Sequence, residues 1–104
     1  SGLKEFAADA KGMATRVSSG KVLNMLAPNL PALMGGAADL APSTMTLING
    51  EGDFSSKDYV GRNMRFGIRE HGMASALNGM SLCGLRPYGA TFFVFTDYCR
   101  PAIR

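Results

Sequence analysis

The sequence predicts an α/β fold in which a parallel sheet is flanked by helices. Three short apolar runs, at residues 31–36, 64–68 and 87–91, have the length and composition of buried strands. Segments with helical spacing follow the second and third runs, and strands that alternate with helices are typical of parallel sheets. At 104 residues, with 46% hydrophobic side chains, the chain has the size of one small domain.

A first helical stretch is predicted over residues 3–27, because apolar side chains from Leu3 to Leu26 recur there at helical spacing. Two serines followed by Gly20 predict a break into two helices, with Ser19 capping the second. Pro28 ends the stretch, and the first strand follows it.

The rest of the chain alternates between polar and apolar segments. Residues 41–63 are predicted to form a long connection, and connections of that length are uncommon unless they are functional or lie over a partner. Residues 69–84 follow the second strand as a helix that Gly84 ends. A last helical segment is predicted over 92–104, with Pro101 bending or shortening it.

Composition and charge exclude several classes of protein. The formal net charge of +3 comes from dispersed basic residues with no stripe or run, which argues against a nucleic-acid partner. No apolar run is long enough to span a membrane, and no signal pattern opens the chain. One histidine and two cysteines without metal-ligand spacing predict no metal site and free thiols at Cys83 and Cys99.

Three motifs are expected to meet at the carboxyl ends of the strands, where open α/β sheets bind ligands. They are Gly35 to Asp39, whose small residues would let a group approach the backbone, Arg69 to Gly72 at a strand-to-helix junction, and Thr91 to Tyr98.

Each motif has a structural and a functional interpretation. Glu70 is either a glutamate that the helix dipole favours at a helix start, or a buried carboxylate that hydrogen-bonds a heterocycle or moves a proton. Phe92, Phe95 and Tyr98 share one helical face, which either packs in the core or forms a wall for a flat ring. Arg16 and Ser43 have no pattern that distinguishes them from surface residues.

The motifs taken together, in this order and spacing, closely resemble the transketolase family. The resemblance runs from about residue 6 to Arg104, and its most specific part is Gly-Ile-Arg-Glu-His-Gly-Met at residues 67–73. Further matching stretches are residues 13–16, 35–43 and 87–98. The resemblance implies that residues 1–104 are the N-terminal portion of the pyrimidine-binding domain, an incomplete part of a thiamine diphosphate-binding fold.

The resemblance also implies an activity, cofactors and partners. Transketolases transfer a two-carbon ketol unit from a ketose phosphate to an aldose phosphate, using thiamine diphosphate and a divalent metal such as Mg²⁺ at the interface of a homodimer. The family's Gly-Asp-Gly motif for the metal and diphosphate is absent from this sequence, so those groups are expected to bind to other regions. The expected location is the cytoplasm or a plastid.

The resemblance assigns roles residue by residue. Glu70 matches the family's essential glutamate, which hydrogen-bonds the aminopyrimidine ring. Phe92, Phe95 and Tyr98 match the aromatic pocket around that ring, with Phe95 the candidate for direct stacking. Two further roles are expected: Asp39 matches a carboxylate near the thiazolium, and Arg16 and Ser43 match residues that bind the sugar phosphate.

Two alternatives remain open at this point. A dihydroxyacetone synthase, a transketolase relative that uses formaldehyde as acceptor, would share these motifs. The isolated chain could also be a non-catalytic dimerisation or folding remnant, and exposed aromatic side chains would then predict self-association. One departure from the family is Ala37, which stands where the family usually has serine.

Overall fold

A three-stranded parallel sheet forms the centre of the fold, in a computed structural model that describes residues 4–104. The strands are β1 (Leu33–Ala37), β2 (Asn63–Arg65) and β3 (Arg86–Ala90), in the spatial order β2-β1-β3. Both pairings with the central strand β1 are parallel. The predicted α/β class and all three predicted strands are therefore confirmed, with β2 shorter than expected.

In the part of the chain that the structure describes, four α-helices lie beside the sheet or follow it. They are α1 (Thr15–Leu26), α2 (Ala41–Thr44), α3 (Glu70–Leu82) and α4 (Arg100–Ile103). Two 3₁₀ segments complete the elements, Ala27–Asn29 after α1 and Phe93–Cys99 before α4. Helix α3 connects β2 to β3, the two parallel strands on opposite sides of β1, as a crossover connection.

The first helix begins later than the apolar spacing predicts. Leu3 lies outside the described residues, and residues 4–14 contain a turn but no helix. The turn is closed by the Gly12 amide, which donates to the Asp9 carbonyl over 3.0 Å. Gly12 has a φ of 71°, in the left-handed region, which a right-handed helix cannot contain. Phe6 and Met13, two of the apolar residues on which the prediction rests, therefore lie before α1.

The predicted break at Gly20 is wrong, because α1 is one continuous helix. Gly20 is buried against the turn after α2, and a Cβ atom at this position would lie 2.7 Å from the Met45 carbonyl oxygen. The glycine is therefore explained by the close packing of α1 on that turn. Ser19 caps nothing, since the N-cap residue of α1 is Ala14.

The connection between β1 and β2 is organised around the side chain of Asn63. Its Oδ1 accepts the Ile48 amide over 2.8 Å, and its Nδ2 donates to the carbonyls of Ile48 and Glu51. Because Asn63 is the first residue of β2, these bonds fasten the loop to the sheet. Asn63 and Ile48 are both buried, so the connection is packed against the sheet at Ile48, whereas residues 52–60 are exposed.

The two glycines of β1 lie where the backbone of a neighbouring strand leaves no room for a side chain. A Cβ on Gly35 would collide with the Tyr88 carbonyl, and one on Gly36 with the Met64 carbonyl. At Gly35 and Gly36 the expectation that small residues let a group approach the backbone is therefore wrong, because the adjacent strands occupy that space. Gly67 has a φ of 68°, which ends β2 before the predicted limit at residue 68.

The segment after β3 is a 3₁₀ helix followed by a short α-helix, where one bent helix was predicted. Pro101 lies in the first turn of α4, where a backbone N–H would have no acceptor within the helix. Its lack of an N–H therefore costs nothing there, and Pro101 begins a helix instead of bending one. In a 3₁₀ helix, side chains three residues apart lie directly above one another. The spacing of Phe92, Phe95 and Tyr98 suits this geometry.

The buried core consists mainly of small side chains, and many large apolar side chains are exposed. Ala27, Ala37, Ala38 and Ala41 are among the buried apolar residues, with Ile48, Met73 and Cys99. In contrast, Phe93 is 92% exposed and Leu82 is 90% exposed. No helix within residues 4–104 combines the length and the apolar character needed to cross a membrane.

Candidate functional site

A cleft of about 510 Å³ opens at the carboxyl ends of the strands, as the sequence predicts. We call it the first cleft. It is lined by Ala38, Asp39, Leu40, Ile68, Glu70, Phe95 and Tyr98. Four of the predicted site residues, Glu70, Asp39, Phe95 and Tyr98, therefore meet in one place although they come from three separate segments of the chain.

Glu70 is the first residue of α3 and is only 7% exposed. The position is favourable for a carboxylate, since the amide dipoles at a helix start attract negative charge. No hydrogen bond within residues 4–104 engages the carboxylate, whereas the backbone carbonyl of Glu70 accepts one from the Cys99 thiol. A buried carboxyl group without a partner of its own is available to a ligand in the cleft.

The aromatic side chains form a stacked column along the 3₁₀ helix. The ring centroids of Phe92 and Phe95 are 6.1 Å apart with planes 12° from parallel. Those of Phe95 and Tyr98 are 6.3 Å apart with planes 26° from parallel. Phe95 is the middle ring and borders the first cleft together with Tyr98, so the cleft has one flat aromatic wall.

Asp39 follows β1 with a left-handed backbone conformation, at a φ of 59°. This conformation is uncommon outside glycine, and such residues cluster at ligand sites. Its amide donates to the Ala37 carbonyl over 2.9 Å, which closes a tight turn directly after the strand. The turn directs the chain around the edge of the first cleft, where Asp39 is solvent-exposed.

A second cleft of about 530 Å³ contains the predicted substrate residues Arg16 and Ser43. Phe92 lines this second cleft and not the first, although it stacks on Phe95. Arg16 is the charged residue of its lining, and most of the others carry hydroxyl groups: Thr15, Ser19, Ser43, Thr44, Thr46, Thr91 and Thr96. One guanidinium among hydroxyls suits an anionic group such as a phosphate.

The long connection contributes to the site only at its start. Ser43, Thr44 and Thr46 line the second cleft, whereas the residues from Asn49 to Arg62 pack beside β2 through Asn63 and Arg62. Within the described residues, only the first part of the connection therefore lines the second cleft. The remainder is joined to β2 and the residue before it by a few polar contacts, among them Arg62 to Glu51 and Arg65 to Asp53.

Three residues either line the second cleft or hydrogen-bond a residue that lines one of the clefts, and the sequence patterns assigned them no role in the site. Cys99 donates its thiol hydrogen bond to Glu70 over 3.4 Å, and burial, followed by the Glu70 charge, raises the pKa of that thiol. Tyr88 fastens the turn that follows α2, as described below. Within residues 4–104, the buried hydroxyl of Thr91 has no hydrogen-bond partner. The hydrogen-bond partners of Cys99 and Tyr88 are distant in sequence, so no local signal marks these two residues.

The two clefts suit different chemical groups. The first offers a flat wall and a buried carboxyl group, which together can stack a planar heterocycle and hydrogen-bond its edge. The second offers a cation and hydroxyls. Within residues 4–104, no three His, Cys, Asp or Glu side chains lie close enough together to hold a metal ion.

Comparison with known proteins identifies the family. Residues 11–104 match the family model described as the transketolase, pyrimidine binding domain. The chain is 60% identical over 95 residues to the transketolase of Halalkalibacterium halodurans, covering 90% of this chain and 14% of that protein. It is 51% identical over 104 residues to the chloroplastic transketolase-1 of Arabidopsis thaliana, covering 98% of this chain and 14% of that protein.

A solved structure agrees with these matches. The Pichia stipitis transketolase in complex with sedoheptulose 7-phosphate superposes with a TM-score of 0.86 and 40% identity, over 92% of this chain and 15% of that one. The chain thus spans about one seventh of the length of its relatives. With a family model over most of its residues and a shared fold, the chain belongs to the transketolase family.

Proposed function

We propose that this chain supplies the aminopyrimidine-binding half of a thiamine diphosphate site in a transketolase. The whole enzyme would transfer a two-carbon ketol unit from a ketose phosphate to an aldose phosphate. Residues 1–104 would be the N-terminal portion of its pyrimidine-binding domain. The observation that carries this proposal is the meeting of Glu70, Phe95 and Tyr98 in the first cleft.

The first cleft fits an aminopyrimidine ring. A planar ring can lie against Phe95, where offset stacking contributes about 0.5–1.5 kcal/mol beyond the burial of area. Glu70 lies at the same cleft with a carboxyl group that no protein group engages within residues 4–104. Bound thiamine diphosphate would supply the chemistry that holds the two-carbon unit between donor and acceptor, and the protein would supply orientation and electrostatics.

Glu70 would hold a proton for the bound ring. In its protonated form the carboxyl group donates a hydrogen bond to a ring nitrogen, and a group at this position can exchange that proton during turnover. Glu70 is only 7% exposed and borders the first cleft, so a ring bound there would exclude water from its carboxyl group. Asp39, at the rim of the first cleft, would face the reacting carbons beyond the ring.

Arg16 and Ser43 would bind the phosphate of the sugar substrates in the second cleft. A guanidinium binds phosphate through paired hydrogen bonds, and the surrounding hydroxyls can donate to the remaining oxygens. The Pichia stipitis relative is described as a complex with a sugar phosphate, which supports this class of substrate. Mg²⁺ and the diphosphate would be held by regions outside this chain.

The whole enzyme would act as a homodimer in the cytoplasm or in a plastid. Ile68 at the first cleft and Phe93 at the second are exposed apolar side chains, so both clefts have surfaces that a neighbouring domain or subunit could bury. Relatives from bacteria and from chloroplasts support these two locations. A dihydroxyacetone synthase and a non-catalytic remnant have weaker support, since the relatives named above are transketolases.

A hybrid enzyme tests the proposal. In it, this chain replaces the matching segment of the Halalkalibacterium halodurans transketolase, to which it is 60% identical. We expect ketol transfer between sugar phosphates at a rate near that of the unmodified host, with a requirement for thiamine diphosphate. A hybrid that folds and dimerises like the host but neither binds the cofactor nor transfers the ketol unit would overturn the proposal.

A further inference from the structure

Arg16 and Ser43, the two residues proposed to bind the substrate phosphate, lie on different helices. The distance between them depends on contacts that hold these helices in place. Arg16 is in the first turn of α1, and Ser43 is in α2, a helix of four residues. A helix that short is not stable by itself, because one turn fixes many torsion angles for few hydrogen bonds. The width of the second cleft therefore depends on whatever holds α2 in place.

A hydroxyl network ties α2 to the turn that follows it. Thr44 Oγ1 donates to the Leu40 carbonyl over 2.9 Å, so its oxygen accepts from the Thr46 hydroxyl, 2.8 Å away. The Thr46 amide also donates to the Ala41 carbonyl over 3.2 Å. These bonds close α2 on itself, but they do not attach it to the sheet.

The attachment to the sheet is made by Tyr88. Its hydroxyl donates to the Thr46 carbonyl over 2.9 Å, from a position in the middle of β3. Burial raises the pKa of Tyr88 to about 12, so the hydroxyl remains a donor at every pH at which the protein would work. Thr46 itself is buried and lines the second cleft.

On its other side the same turn is attached to α1. Gly20 packs against Met45, and the Asn24 side chain donates to the Leu47 carbonyl and accepts the Asn49 amide, over 3.0 and 2.8 Å. Since α1 also carries Arg16, the segment after Ser43 is held between α1 and β3. Tyr88 provides the β3 side of that attachment.

From these contacts we infer that Tyr88 is a positioning residue for the phosphate end of the substrate. Its hydroxyl holds the turn after α2 against β3 and thereby fixes Ser43 relative to Arg16. Tyr88 is absent from the lining of the second cleft, so it acts through Thr46 and not by contact with the substrate. The inference rests on the proposed function, because it assumes that the second cleft binds phosphate.

The test is Tyr88→Phe in the hybrid enzyme, with Tyr59→Phe as the matched control on an exposed tyrosine. Loss of one hydrogen bond should raise the KM for a phosphorylated aldose about fivefold. We expect kcat, the KM for an unphosphorylated aldose and the affinity for thiamine diphosphate to stay within twofold of the control. Competitive inhibition by inorganic phosphate should weaken by the same factor as the KM rises.

Arg16→Ala, measured beside it, distinguishes failure of the inference from failure of the proposed function. If Arg16→Ala raises the KM for the phosphorylated aldose and Tyr88→Phe does not, the positioning role is wrong and the phosphate site stands. If neither variant changes it, the phosphate site is wrong as well. If Tyr88→Phe raises the KM for the phosphorylated and the unphosphorylated aldose equally, the inference is also overturned. Such a result would indicate a general structural effect, which does not distinguish the two substrates.

Discussion

The thiol of Cys99 donates a hydrogen bond to the backbone carbonyl of Glu70, with the sulfur and oxygen atoms 3.4 Å apart. A second bond, from the Asn78 side chain to the Ala102 carbonyl over 2.9 Å, lies further along α3. The segment after β3 is thus fastened to α3 at two points. Because this segment carries Phe95 and α3 carries Glu70, the two bonds fix the aromatic wall relative to the carboxyl group.

Replacing Phe95 by alanine tests the stacking role of the middle ring of the column. Offset stacking and the burial of the ring are both lost, so the concentration of thiamine diphosphate needed for half-maximal activity should rise about tenfold or more. At saturating cofactor, kcat should change little. Phe54→Ala, in the loop before β2, serves as the control. An unchanged cofactor requirement in Phe95→Ala would count against stacking.

Replacing Arg16 by alanine tests the phosphate site in the second cleft. Charge-assisted hydrogen bonds contribute about 1.5–3 kcal/mol, so the KM for a phosphorylated aldose should rise by about 10- to 100-fold. The KM of Arg16→Ala for an unphosphorylated aldose should not change. The control Lys57→Ala, which removes an exposed cation elsewhere, should leave the KM for both aldoses unchanged. Equal effects on both substrates would show that Arg16 has no particular role toward phosphate.

Two glycine substitutions test the packing of α1 on the turn after α2. At Gly20 an added Cβ would meet the Met45 backbone, so Gly20→Ala should destabilise the protein by about 1–3 kcal/mol despite the better helix propensity of alanine. At Gly79 in α3 no atom lies within 4 Å of the added Cβ, so Gly79→Ala should stabilise by about 0.5–1 kcal/mol. Urea unfolding of the hybrid enzyme measures the free energy of unfolding of both variants. A Gly20→Ala enzyme that is stabilised like Gly79→Ala would contradict the packing of α1 on the turn after α2.

Much of the fold could be predicted from local sequence patterns. Apolar runs and helix-ending residues located the three strands and α3, because these signals act within a few residues. The failures occurred where distant contacts decide the structure. Gly20 was predicted to break a helix, yet it accommodates Met45, which is 25 positions away in the sequence.

The candidate site shows the same division. Motif resemblance identified Glu70, Asp39, Phe95 and Tyr98, and the structure brings these four into one cleft. The resemblance did not predict that Phe92 would line the other cleft, because that depends on the extended backbone of Phe92 directly before the 3₁₀ helix. The roles of Tyr88 and Cys99 depend on hydrogen bonds to carbonyls that lie far away in sequence, which side-chain identity does not reveal.

The ion pair between Glu51 and Arg62 should give a pH-dependent contribution to stability. The Arg62 guanidinium, 2.7 Å from the carboxylate, lowers the pKa of Glu51 below its ordinary 4.5. A carboxyl group whose pKa is lower in the folded state stabilises the fold above pH 4.5, and this contribution is lost as the pH falls through the lower, folded-state value.

Thermal melting of the hybrid enzyme and of its Glu51→Gln variant measures this contribution. The variant should melt slightly below the parent at pH 7, and the difference should disappear at a pH well below 4.5. Glu5→Gln, at an exposed glutamate, should show no such difference. A gap between Glu51→Gln and its parent that persists at low pH would contradict the assignment to ionised Glu51.

The role of Glu70 is the central claim, and the turnover number of Glu70→Ala in the hybrid enzyme tests it most directly. Loss of a group that holds and exchanges a proton should lower kcat by about 10²- to 10⁴-fold. The melting temperature should change little, since a favourable charge at a helix start contributes only about 0.3–1 kcal/mol. Glu5→Ala is the control for removal of a carboxylate. A Glu70→Ala enzyme with near-normal kcat would contradict the claim.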